Sequence, residues 1–213
     1  RYSWCSFFPL IGPATRTRFT RLAIFWQDIT MQQNLYFEDV VIGTELETSA
    51  RTVTRKDILT FAEITYDHHP LHTDDAFGRE MGFDGIIAHG LYGLSLMQGL
   101  QSELKLYDKT SIGSLGWNNV RFTKPLMPDD KVHVRVKFTS KRESRKPDRG
   151  VVTESFELIN QHGETITEAE HVTLLKRKSG GANKADVQAD ILGLLQTEGP
   201  YRSLSSVEQE HSK

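Results

Sequence analysis

The chain carries a single cysteine, Cys5, in 213 residues. That excludes an internal disulfide and a zinc ribbon, both of which need paired cysteines, and makes a reducing compartment the default reading. Long apolar runs are missing too: none approaches the ~18–20 residues that a membrane-spanning helix needs. Charge of one sign is also missing. With 26 Lys and Arg against 28 Asp and Glu, the formal net charge is −2. The chain as a whole has no pull toward nucleic acid or an anionic membrane. What is present, 38% hydrophobic and 25% charged residues, is an ordinary globular composition, and the length suits one domain or one domain with tails.

The two ends differ from the middle. RYSWCSFFPLIGPATRTRFTRLAIFWQDIT is basic, contains Ser and Thr, and has one acid, Asp28, while Met31 begins an ordinary-looking segment. Such a stretch reads either as a targeting leader or as sequence foreign to the domain, so residues 1–33 are set apart. The expected location is the cytoplasm, or an organelle if the leader is genuine. Residues 179–213 are polar, with one apolar patch from Val187 to Leu195, and read as a flexible tail. Residues 34–178 are expected to form one compact domain.

Within it, residues 40–53 read as a lead-in loop and short strand. TRKDILTFAEITYD reads as a helix, with Thr54 and Asp57 spaced as a capping box and Ile58, Phe61, Ala62 and Ile64 giving an apolar face. Pro70 bars a helix from running through it and pushes His69 to an extended conformation. A second helix is expected from about His89 to Leu106. Leu96, Leu100 and Leu104 form one row on it, and Leu91, Leu94 and Met97 another. Two rows make a wide apolar arc, and Gly90, Gly93 and Gly99 thin the helix, as suits one enclosed by other structure. Strands follow. KVHVRVKFTS alternates strictly, with Val132, Val134, Val136 and Phe138 on one face. SFELINQHGETITEAEHVTLL reads as a hairpin about Asn160–Gly163. Arg142, Arg145, Lys146 and Arg149 read as a solvated basic loop. The element order fits an α+β domain, an antiparallel sheet curled around one central helix.

The chemistry concentrates in YDHHPLHTDDAF, residues 66–77, with three histidines and three aspartates. A metal site fits poorly: His68 and His72 are four apart, but Pro70 lies between them and no known ligand spacing is met. The expectation is no metal. Acid–base work fits better. Asp67 ends one helix and His72 follows a proline bend that can turn both toward one volume. A carboxylate and an imidazole can hold a water between them, one taking its proton while the other positions it or moves a second proton. Such a pair suits adding water to an activated double bond, or removing it. Gly90 in the first turn of the long helix offers a free N–H for a carbonyl oxygen bearing negative charge. Taken singly, Asp67 reads as a turn residue, His72 as a satisfied loop histidine and Gly90 as packing; the three together are harder to explain that way.

These residues resemble the MaoC-like dehydratases, the family of R-specific enoyl-CoA hydratases. The family signature runs roughly D-x-N-P-[LI]-H-x-D-x-x-[FA], then I-x-H-G. Here the stretches are D-H-H-P-L-H-T-D-D-A-F and I-I-A-H-G-L. FAEITYD, NNVRFTKPLMPDDKVHV and NQHGETITEAEHVTLL are similar to the family's preceding helix, following strand and last hairpin, so the resemblance spans about residues 37–177. It implies a hot-dog fold, a curved antiparallel sheet wrapped around one long helix, and a homodimer joined edge to edge through its sheets. It implies Asp67 and His72 as catalytic groups, the Gly90 N–H as oxyanion donor, and an acyl thioester of coenzyme A or acyl carrier protein as substrate, with no metal or redox cofactor. His69 stands where the family has asparagine, and Gln98 where a small polar residue is frequent. His69, His89, Gln98, Phe83, Ile86 and Trp117 are the candidate substrate-binding residues.

The expected function is a hydro-lyase that reversibly hydrates trans-2-enoyl thioesters to (R)-3-hydroxyacyl thioesters. Two alternatives stand beside it: a hot-dog acyl thioesterase, since one fold hosts several chemistries, and a non-catalytic subunit that binds acyl thioesters. A nucleic-acid role has little support, because the basic loop at 141–149 lacks interleaved aromatics.

Overall fold

A computed structural model of the protein describes residues 34–178. The leader and the tail, with its Val187–Leu195 patch, lie outside the described residues. A 3-10 turn at Phe37–Asp39 leads into β1 (Glu45–Glu47) and β2 (Arg51–Thr52). Helices α1 (Arg55–Thr65), α2 (Pro70–Thr73), α3 (Asp75–Glu80) and α4 (Gly90–Glu103) follow. The chain then runs through β3 (Ser111–Phe122), β4 (Lys131–Glu143), β5 (Arg149–Ile159) and β6 (Thr165–Lys176). The sheet order is β1-β4-β5-β6-β3, with β2 also on β4, and every pairing is antiparallel.

Local chemistry sets these elements. Thr54 caps α1: its Oγ1 accepts the Asp57 N–H at 3.1 Å, and an Asp57 carboxylate oxygen accepts the Thr54 N–H at 2.8 Å. Two of the helix's orphan donors are thereby satisfied. Alternation in β4 places Val132, Val134, Val136 and Phe138 inside, none more than 2% exposed. The β5–β6 hairpin turns where Asn160 Oδ1 accepts the N–H groups of His162 and Glu164, and Gly163 takes a positive φ of 74°.

One face of the sheet packs on α4, which touches β4, β5 and β6. Leu96, Met97 and Leu100 of the helix meet Val134, Val136, Phe156, Leu158 and Ala169 of the strands. Each of these Leu, Met, Val and Phe side chains contributes about 1.5–3 kcal/mol when fully buried. Gly93 lets the helix approach closely, since a Cβ there would lie 3.2 Å from Thr167 Oγ1.

Three expectations need correction. Helix α4 stops at Glu103, because Leu104 turns its N–H back to Gln101 and Ser102, and Lys105 takes φ 53°. Leu91 and Ile64 face out, 62% and 69% exposed, because the apolar arcs of α4 and α1 are wider than the core they meet. Arg149 is buried, not solvated, and forks onto Asp148 with two 2.8 Å hydrogen bonds. Among the described residues no helix is long and apolar enough to cross a membrane.

Candidate active site

The site lies where α1, the bend after it and the start of α4 converge. Helix α1 ends on Tyr66, which takes the left-handed conformation at φ 61° and sends the chain sideways. Asp67 comes next, its side chain 56% exposed. His69 then caps α2: its Nδ1 accepts the Leu71 N–H at 3.2 Å, and Pro70 occupies the first helical position, where no N–H is missed. That single turn delivers His72. Asp74 caps α3 through the Ala76 N–H at 2.8 Å. Asp75 reaches further, accepting the Ile86 N–H at 3.0 Å and a guanidinium N–H of Arg55 at 2.7 Å. It ties the segment entering α4 to both α3 and α1. The Arg55 hydrogen bond, followed by that from Ile86, holds the Asp75 carboxyl below the usual range.

His72 is half-buried, with Nδ1 2.8 Å from the Ile87 carbonyl oxygen. A carbonyl only accepts, so Nδ1 carries the hydrogen and Nε2 keeps a lone pair. Burial, then repulsion from His89, lowers the His72 pKa, against the opposing pull of the Ile87 carbonyl and Asp67. The imidazole is therefore neutral, a proton acceptor, at neutral pH. His89, the residue before α4, is 4% exposed, and its Nε2 lies 2.9 Å from the Asp67 carbonyl oxygen. By the same reasoning Nε2 carries its hydrogen; Nδ1 is buried with no hydrogen-bond partner among the described residues. The two rings stack with centroids 3.7 Å apart.

Asp67, His72 and His89 bring one ligand-type atom each within 4.8 Å of one another, a spacing that could hold a cation. Each ring gives one nitrogen to a backbone carbonyl, His72 through Nδ1 and His89 through Nε2, which leaves His72 Nε2 and His89 Nδ1 as the lone-pair nitrogens.

Gly90 opens α4. Tyr92 and Gly93 turn their N–H groups to His89 O, while the Gly90 N–H lies in the first turn, whose donors have no intrahelical acceptor. A side chain would not fit: a Cβ on Gly90 would lie 2.8 Å from three atoms of the Phe122 ring. A cavity of about 320 Å³ runs past this point, with His72, His89, Gly90, Phe83, Phe122 and Leu126 in its wall. The arrangement can polarise a carbonyl at the helix end and move a proton at the imidazole.

The structure thus brings together Asp67, His72, His89, Gly90 and Phe83, with His69 capping the loop beneath. It does not bring in Ile86, Gln98 or Trp117. Ile86 is fully buried in the core, and its neighbour Ile87 faces the cavity instead, because the segment before α4 alternates inward and outward. Gln98 sits two turns along α4 and lines a different cavity, donating to Gln101 Oε1 at 3.3 Å. Trp117 stacks on His171 at 4.5 Å, farther along the sheet. Phe122, Leu126, Ile166 and Thr167 were not among the sequence candidates. The alternation of β6 marks Thr167 as facing the helix; nothing local marks Phe122 as packing on a glycine far away in sequence.

An antiparallel sheet with one long helix packed on its face is the hot-dog architecture. Residues 38–158 match the family described as the MaoC like domain, and the chain belongs to that family. Protein MaoC of Klebsiella aerogenes is 34% identical over 114 residues, 54% of this chain and 33% of that protein. The chain thus spans about a third of that relative. The (R)-specific enoyl-CoA hydratase of Aeromonas caviae is 32% identical over 119 residues, covering 56% of this chain and 84% of the relative. Among solved structures, the monoamine oxidase regulatory protein from Archaeoglobus fulgius superposes with a TM-score of 0.65 at 33% identity, over 69% of this chain and 97% of that one.

Proposed function

We propose that the protein is a hydro-lyase that reversibly adds water to trans-2-enoyl thioesters, giving (R)-3-hydroxyacyl thioesters. One observation carries the reading: a neutral imidazole, a carboxylate and a free helix-start N–H converge beside an apolar cavity. The thioester carbonyl accepts the Gly90 N–H, which draws electron density from the C2–C3 double bond. Asp67 and His72 hold a water at C3. One takes its proton as the oxygen adds, and a proton is delivered to C2, so the reaction needs no redox cofactor and no metal. The carrier is coenzyme A or acyl carrier protein. The likeness to the (R)-specific enoyl-CoA hydratase of Aeromonas caviae supports this class of chemistry.

The working unit in this reading is a homodimer. Strand β3 pairs with β6 along one edge, and among the described residues its other edge has no partner strand. Its Phe122 is 51% exposed. A twelve-residue open edge of this kind invites a second copy. The single cysteine and the proposed substrate fit a cytoplasmic location.

The test is crotonyl-CoA hydration, followed by loss of enoyl absorbance with a free-thiol assay alongside. Asp67→Asn and His72→Gln should each lower the rate by on the order of 10²–10⁴ with the fold intact. Thiol release would move the assignment to a thioesterase. Inertness toward crotonyl, longer enoyl and carrier-bound substrates alike would favour a non-catalytic acyl-thioester-binding subunit.

A further inference from the structure

The acid–base pair shares its corner of the fold with a nitrogen that the hydration chemistry does not use. His89 is 4% exposed, and its Nδ1 is buried without a hydrogen-bond partner among the described residues. Buried polar atoms are nearly always paired, so an orphan calls for a ligand, a water or a chemical role to explain it. Asp67, His72 and His89 each offer one ligand-type atom, and these atoms lie within 4.8 Å of one another.

Both imidazoles are held as metal-binding histidines are held. A histidine that ligates through one nitrogen gives the N–H of the other to a carbonyl or carboxylate, which fixes its tautomer and ring angle. His72 gives its Nδ1–H to the Ile87 carbonyl at 2.8 Å, and His89 its Nε2–H to the Asp67 carbonyl at 2.9 Å. The lone pairs therefore sit on His72 Nε2 and His89 Nδ1. The rings stack with 3.7 Å between centroids. Two nitrogens bound to one tetrahedral zinc ion stand roughly 3.3 Å apart, so the rings are already at the spacing of a chelating pair.

Asp67 is the adjustable member. Its side chain is 56% exposed, and one carboxylate oxygen lies 3.9 Å from His89 Nε2. The other accepts a long hydrogen bond, 3.4 Å, from the His69 N–H. Both rings lie in the wall of the cavity of about 320 Å³. That space gives a cation its entry and leaves room for a water as fourth ligand.

We propose that Asp67, His72 and His89 form a site for a divalent transition-metal ion, with Zn²⁺ as the type, and that the bound ion holds the hydratase off. The site rests on the geometry, and its effect rests on the hydratase reading. Two imidazoles and one carboxylate with an open fourth position suit Zn²⁺, whereas Mg²⁺ and Ca²⁺ take oxygen ligands. The ion occupies the His72 Nε2 lone pair and the Asp67 carboxylate. Those are the two groups that hold the water and accept its proton, so hydration stops. Removing the ion returns both groups to the reaction.

The test uses the full-length protein, stripped with a chelator that is then removed. Zn²⁺ is titrated into it by calorimetry, with Mg²⁺ as the control. His89→Phe, which keeps the ring stack, and Asp67→Asn, at an exposed position, should each weaken Zn²⁺ binding by on the order of 100-fold, the upper end of what loss of even an outer-shell partner costs. Circular dichroism checks that both variants keep the native fold. In crotonyl-CoA hydration, Zn²⁺ should silence wild type over the concentrations at which it binds, and a chelator should restore the rate. His89→Phe, slower from the start, should keep its residual rate at Zn²⁺ concentrations that silence wild type. Zn²⁺ binding that is equal in wild type and both variants, Mg²⁺ binding as tight as Zn²⁺, or hydration unchanged or raised by bound Zn²⁺ would each overturn the proposal. If the metal-free protein hydrates no enoyl thioester, the hydratase reading falls, and the titrations still decide the site.

Discussion

The imidazole of His72 stacks on that of His89 with 3.7 Å between centroids, and each ring gives one nitrogen to a backbone carbonyl. His89 thereby does two things at once: it backs the proton-accepting ring and grips the backbone of Asp67. His89→Phe would keep the stacking surface and lose the grip. The expected result is a fall in kcat of about 10–100-fold with KM little changed, the size of effect that a misplacement of about 1 Å produces. Steady-state kinetics on an enoyl thioester decide it.

The His72 pKa is lowered chiefly by burial. The folded state therefore resists protonating this ring, and its base form persists below the ordinary histidine value of about 6.5. The acid limb of kcat/KM should have its midpoint under that value and be absent in His72→Gln. The sign for stability follows. Unfolded protein binds the proton more readily, so this group's contribution is complete above about pH 6.5 and declines as pH falls toward the folded pKa. A pH profile of rate, with denaturant melts at the same pH values, tests both.

Phe122 covers Gly90 so closely that a methyl group cannot enter without moving the ring. Gly90→Ala should lower stability by about 1–3 kcal/mol, the scale of overpacking, and depress hydration by screening the N–H. Adding Phe122→Ala to Gly90→Ala should recover much of the stability but not the rate. Thermal melts and kinetics on the single and double variants separate space from chemistry.

Asp75 joins α3, the Ile86 backbone and Arg55. Asp75→Asn weakens both contacts and should lower activity through the loop, without touching substrate. The Asp75 pKa is depressed, so its contribution to stability is present above the unfolded value near 3.9 and fades as pH falls through the folded one. Wild type should thus lose its stability advantage over Asp75→Asn in acid, which melts between pH 2 and 6 would show.

Met97 is fully buried where α4 meets the sheet. Met97→Ala should cost about 2–5 kcal/mol in urea unfolding, the range for truncating a large core side chain. Activity per folded molecule should change far less, since Met97 does not line the cavity beside His72.

Much of this protein is legible one residue at a time. The Thr54–Asp57 cap, the alternation of Val132 to Phe138, the Asn160–Gly163 turn and the bend at Pro70 depend on neighbours within a few positions, and the sequence states them directly. The pairing of Asp67 with His72 is legible for the same reason: five residues and one proline hold them together. The tertiary structure alone decided the rest. Leu91 looks like core and lies outside, because apolar periodicity defines an arc but not how much of it another element covers. Ile86 and Ile87 exchange roles because a one-residue step reverses which side chain faces the cavity. Phe122 meets Gly90, Ser114 meets His171, and His171 meets Glu154, through contacts between residues 17 to 57 apart in the chain, as strand register and helix packing bring them together. No local pattern encodes those meetings; they follow from how the strands pair and how closely the helix packs against them.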